Sequence, residues 1–128
     1  MDRKMAIAGT FLGLTAIILG AFGAHALKVK LSIDQLSSFE TGVKYQMYHA
    51  LFLLLLSFQS NISEKVKKTI FYLVLLGVLI FSGSIYMLST RPISGLDLKF
   101  LGPVTPIGGI LLISAWILLL THFIKKKR

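Results

Sequence analysis

Few side chains in this chain can move a proton or hold a ligand, and most of them fall in four short stretches. His25 lies in GAFGAHAL (20–27), Gly42, Tyr45, Gln46 and His49 in TGVKYQMYHAL (41–51), Ser84 in FSGSIY (81–86), and Thr105 and Gly108 in LGPVTPIGG (101–109). On a helix, where successive side chains turn by about 100°, Gly42, Tyr45, Gln46 and His49 fall within an arc of about 100°. Two imidazoles, His25 and His49, have the chemistry of an acid–base pair near neutral pH. No nucleophile or carboxylate pair accompanies them, so no catalytic residue is assigned and no enzymatic activity is expected. A chain without cysteine has no disulfide, no thiolate metal ligand and no cysteine nucleophile. His122 stands near the other end of the chain, which leaves two histidines together; neither a metal site nor a cofactor is expected. Backbone N–H groups behind Gly108-Gly109 would suit an anion at a helix N-terminus. Pro103, Thr105 and Pro106 read more simply as a turn followed by a cap, with the proline at the first helical position.

Those residues must be positioned by apolar elements. Of the 128 residues, 55% are hydrophobic and 15% charged, and the mean hydropathy is +0.78. A soluble domain of this size has too little interior to hide so much apolar surface. About 20 apolar residues carry a helix across roughly 30 Å of hydrocarbon, and the chain holds four such stretches. The expected fold is all-α: a polytopic membrane protein whose four transmembrane helices, about 5–27, 33–59, 64–89 and 104–124, form one antiparallel bundle. A capping box, Ser32 with Gln35, starts the second helix ahead of its apolar part, Ser63 caps the third, and Glu40 and Lys44 are spaced as an ion pair. The longest connection, Thr90 to Gly102, carries the turn signals Arg91-Pro92 and Ser94-Gly95 and apolar residues suited to the membrane interface.

The net charge of +9 reads as topology rather than as nucleic-acid binding. Arg3, Lys4, Lys65, Lys67, Lys68, Lys125, Lys126, Lys127 and Arg128 fall on one side, and outnumber Lys28, Lys30, Arg91 and Lys99 on the other even with Lys44 added. Basic residues are retained on the cytoplasmic side, so both termini are expected there, with the four polar stretches near the outer face. The tail from Lys125 to Arg128 suits anionic lipid headgroups.

The first helix resembles a secretory signal, with basic residues, an apolar run and Ala24-His25-Ala26. The run is longer than a signal core of about 7–15 residues, and it carries Gly9, Gly13, Ala16, Gly20, Gly23 and Ala24 on one face. Such a stripe lets membrane helices approach closely, so the segment is expected to be retained as a packing element, with Gly9, Gly13, Ala16 and Gly20 in the contact.

The same four motifs, GAFGAHAL, TGVKYQMYHAL, FSGSIY and LGPVTPIGG, resemble in order the small membrane proteins of the domain-of-unknown-function 423 family, also called uncharacterised protein family 0382. The resemblance implies a four-helix integral protein of the bacterial cell membrane, with relatives in mitochondria, and it implies no activity and no catalytic residue. Two functional expectations remain. One is a non-enzymatic accessory subunit that binds another membrane protein or a lipid at the outer face, where Gln46 and His49 serve either as interhelical glue or as part of a site. The other is a small transporter or channel subunit working as a homo-oligomer. The lipid bilayer is an expected partner in both, and nucleic acid in neither.

Overall fold

A computed structural model describes residues 1–125, and its regular structure is helical. Four long helices, α1 (Asp2–Phe22), α2 (Ile33–Ser57), α3 (Glu64–Ser89) and α5 (Val104–Lys125), are joined by short connections that include the single turn α4 (Arg91–Ser94). A π-helical turn, Gly23–Leu27, extends α1, and a 3-10 turn, Lys99–Leu101, leads into α5. Beyond Lys125, the basic tail expected to meet lipid headgroups lies outside the described residues.

Local chemistry explains the boundaries. Ser32 Oγ accepts from the Gln35 N–H at 3.1 Å while Gln35 Oε1 accepts from the Ser32 N–H at 3.0 Å, which satisfies two donors that a helix start would otherwise leave free. Ser63 Oγ accepts from the Val66 N–H at 3.3 Å and begins α3. Gly95, at φ 71°, closes α4 in the left-handed conformation that suits glycine. Thr105 departs from its expected place as a cap: α5 begins at Val104, so Thr105 lies inside the first turn and its hydroxyl turns across to α3. Pro106 follows it within the first four positions, where a missing N–H breaks no intrahelical bond.

Three segments are long and apolar enough to cross a membrane: Asp2–Leu27, Glu64–Ser89 and Lys99–Lys125. α2, with 25 residues, is about 38 Å long at 1.5 Å per residue. From its start to just past its middle it carries Asp34, Gln35, Glu40, Lys44 and Gln46, which dilute the apolar run that ends it. Glu40 and Lys44 make no ion pair; among the described residues, ion pairs form instead between Lys67 and Asp2 and between the amino terminus and Glu64.

α2 and α3 are the central pair, with α1 packed on α2 and α5 on α3. Each of these three pairs is antiparallel. Gly9 faces Ala50 and Leu54, Gly20 faces Val43, and Gly23 faces Phe39; on the other side Gly77 faces Leu112, and Gly108 faces Phe81. Met5, Leu53, Leu56, Ile70, Val74 and Leu112 belong to the main hydrophobic core, while Ile7, Phe11, Leu14, Ile17 and Ile18 point outward. An apolar exterior around a bundle whose backbone bonds are internal is what hydrocarbon demands.

Lys67 is the exception to a solvated basic face. It is 2% exposed, and its ammonium donates to Asp2 Oδ1 at 2.7 Å and to the Gln59 carbonyl. The amino terminus lies 3.3 Å from the Glu64 carboxylate. A lysine is rarely buried unless paired; here the pairing ties the start of α1 to the α2–α3 turn.

Candidate functional site

Two side chains one turn apart on α2 organise the polar interior. Gln46 is 4% exposed. Its amide donates to Leu12 O at 2.9 Å and to Thr15 Oγ1 at 2.7 Å on α1, and its carbonyl accepts from Tyr86 Oη at 2.6 Å on α3. Thr15 passes its own proton to Phe11 O at 2.9 Å, so its oxygen is free to accept. One glutamine thus connects three helices.

His49, also 4% exposed, reaches the other side. Trp116 Nε1 lies 3.0 Å from His49 Nε2, and His49 Nδ1 lies 2.8 Å from Tyr45 O. Indole N–H only donates and a carbonyl only accepts. Nε2 is therefore the acceptor and Nδ1 carries the proton, so the ring is neutral with both nitrogens engaged. Trp116 also stacks on Phe52, centroids 4.2 Å apart and planes at 21°, which holds the indole in position for His49.

Nearer the end of the bundle opposite the termini, hereafter the distal end, Ser82 Oγ donates to Gly42 O at 2.7 Å. Gly42 is a glycine for reasons of space: a Cβ there would stand 2.7 Å from Tyr86 Cε1. Ser84 and Thr105 join their hydroxyls at 2.5 Å, linking α3 to α5. Gly108, buried against the backbone of Phe81, allows that approach. Above them opens a crevice of about 400 Å³, lined by Asp34, Gln35, Ser38, Ile85, Leu88, Ser89, Gly102 and Thr105. A column of polar groups therefore descends from this crevice through Ser84, Ser82 and Gln46 to His49. It stops there, because Leu53, Leu56, Ile70 and Val74 occupy the next layer.

The structure gathers Gly42, Gln46, His49, Ser84, Thr105 and Gly108 into this column, and it leaves two expected members aside. His25 is exposed on the π-helical turn, ten residues beyond Thr15, or about 15 Å along the helix. Tyr45 is 40% exposed, its ring beside Tyr48 and Phe81 at centroid distances of 5.6 and 5.0 Å; it lies at the edge of the arc and contributes its carbonyl rather than its hydroxyl. Tyr86 turns its hydroxyl inward to Gln46. Gln46 also lies deeper than expected: 13 residues past Ile33, it is about 20 Å from the start of α2. Thr15, Ser82 and Trp116 were not singled out from the sequence. The signal for Trp116 was its type, an obligate donor in an otherwise apolar span. Among the described residues no group of His, Asp and Glu is arranged to hold a metal ion.

Residues 19–109 match the family model described as protein of unknown function (DUF423). The chain is 39% identical over 121 residues to the UPF0382 membrane protein YwdK of Bacillus subtilis, covering 93% of this chain and 94% of the relative. It is 40% identical over 114 residues to the UPF0382 membrane protein SAB0533 of Staphylococcus aureus, covering 89% of each. To the UPF0382 inner membrane protein YgdD of Escherichia coli K12 it is 34% identical over 129 residues, covering 99% of this chain and 94% of the relative. No solved structure matches.

Proposed function

This chain belongs to the DUF423 family of membrane proteins, and from that premise we propose that it is a non-enzymatic accessory subunit that binds another membrane protein or a lipid at its distal crevice. α2 is the fourth span, both termini are cytoplasmic, and the crevice faces outward. For α2, burial of Gln46 and His49 with every polar atom bonded supports the assignment, since polar side chains at membrane depth must be satisfied by the bundle.

The observation that carries the reading is the contrast between the crevice and the column beneath it. The crevice is open and lined by Asp34, Gln35, Ser38 and Ser89, whereas the polar groups below are consumed by bonds within the bundle. A permeation path needs polar groups through the whole bilayer, and an acid–base catalyst needs a nitrogen within reach of substrate. Neither fits a histidine whose two nitrogens are engaged above an apolar layer. Mild-detergent purification followed by mass spectrometry of bound protein and lipid is the test. A reproducible partner that is lost when Ser38→Trp fills the crevice supports the reading. A partner-free oligomer that conducts ions in liposomes overturns it in favour of a channel subunit.

A further inference from the structure

At the end of the bundle that carries the termini, the last turns of α5 meet the first turn of α3 over a second cavity, of about 280 Å³. It is lined by Val66, Leu118, Thr121, His122 and Lys125. Among the described residues, His122 Nε2 is the buried side-chain nitrogen or oxygen that lacks a hydrogen-bond partner. A buried polar atom left unpaired is costly, and the nitrogens of His49 are both bonded. Thr121 does not relieve it: its hydroxyl donates to Leu118 O at 2.9 Å and makes no bond to His122. Among the described residues that line the cavity, the Lys125 ammonium is the formal charge, and none is Asp or Glu.

An imidazole nitrogen and an ammonium with no acidic neighbour suit an oxyanion. α5 belongs to a segment long and apolar enough to cross the membrane, and His122 is in its last turn, where a helix that spans the hydrocarbon would enter the headgroup region. Val66 and Leu118 supply an apolar wall below the polar pair. We propose that this cavity is a binding site for a phosphate group, held between His122 Nε2 and the Lys125 ammonium. It lies at the opposite end of the bundle from the distal crevice and stands or falls independently of the function proposed for that crevice. Phosphate chemistry has two sources, an anionic phospholipid and the free ion, and the test separates them.

The purified full chain in mild detergent is titrated with phosphatidylglycerol, phosphatidylcholine or inorganic phosphate and followed by native mass spectrometry and thermal unfolding. The expected result is retention of one phosphatidylglycerol per chain in preference to phosphatidylcholine, with affinity reduced about tenfold by Lys125→Gln and by His122→Phe. Lys30→Gln, in the α1–α2 connection, leaves binding unchanged. Lys125 is exposed, so its neutralisation does not disturb folding, and His122→Phe removes an unpaired nitrogen and should not lower the melting temperature without ligand. Millimolar inorganic phosphate that stabilises the parent but not Lys125→Gln, and displaces the lipid, identifies the free ion as ligand; retention of phosphatidylglycerol against phosphate identifies the lipid. Equal binding of both lipids, equal loss in Lys30→Gln, or undiminished binding in both site variants overturns the proposal.

Discussion

At Gln46 one side chain joins three helices, and each of its bonds can be removed separately. Interhelical hydrogen bonds in membranes are worth about 0.6 kcal/mol on average. Tyr86→Phe, which keeps the ring beside Phe39 at a centroid distance of 5.1 Å, should cost about that much in detergent unfolding. Gln46→Leu removes all three bonds and should cost roughly 2 kcal/mol on the same scale. In the Gln46→Leu background, Tyr86→Phe should then cost almost nothing, because the bond it deletes is already gone; full additivity would mean that Tyr86 Oη stabilises the bundle through some other partner. Trp116→Phe preserves an aromatic ring on Phe52 and leaves His49 Nε2 without its donor, again for about 0.6 kcal/mol. At this scale the sequence was half legible. The cost of amide and imidazole groups in hydrocarbon announced that Gln46 and His49 must face inward. Their partners were hidden, since Thr15, Tyr86 and Trp116 lie 31, 40 and 67 residues away and only the axial register of the helices selects them.

Between elements, glycine sets the spacing, and its positions are not equivalent. An alanine Cβ at Gly9 would stand 2.8 Å from Ala50 O, a backbone atom that cannot step aside; at Gly13 the nearest atom is Ala50 Cβ at an ordinary 3.7 Å. Replacing glycine by alanine in a helix gains about 0.5–1 kcal/mol, whereas overpacking costs about 1–3 kcal/mol. Gly9→Ala should therefore lower the melting temperature in detergent, and Gly13→Ala should leave it unchanged or raise it. Equal melting of the two would mean that the α1–α2 approach is looser than the backbones indicate. The stripe itself was legible from its three- and four-residue spacing. Which glycine bears the contact was not, because that depends on where the carbonyls of α2 fall opposite α1. The part played by Thr105 was misread for a related reason: Thr-Pro has the form of a cap, but the hydroxyl has a better partner in Ser84 than in its own helix end.

For the molecule as a whole, the antiparallel order brings the amino terminus, the α2–α3 turn and the end of α5 together, and Lys67 locks that end. A hydrogen bond to a charged group is worth about 1.5–3 kcal/mol, and Asp2 is half exposed, so Asp2→Asn should destabilise the chain by about 1–2 kcal/mol. The same burial alters the topological argument. Lys67 is neutralised by Asp2 and no longer counts as a free positive charge, yet Arg3, Lys4, Lys65, Lys68 and the basic tail still outnumber the basic residues of the distal end. The proposed orientation, with termini inside, therefore does not depend on that one lysine. A chain with no native cysteine allows this to be read by labelling one introduced thiol at a time. Ser63→Cys should react with a membrane-impermeant reagent only after the membrane is opened, and Asp34→Cys and Gly95→Cys should react in intact cells. All three positions are exposed and outside the packed core, so reactivity reports sidedness rather than unfolding. Labelling of Ser63→Cys and Gly95→Cys from the same side would remove one span from the bundle. The reverse pattern, Ser63→Cys reactive and Gly95→Cys protected in intact cells, would invert the molecule and turn the distal crevice toward the cytoplasm.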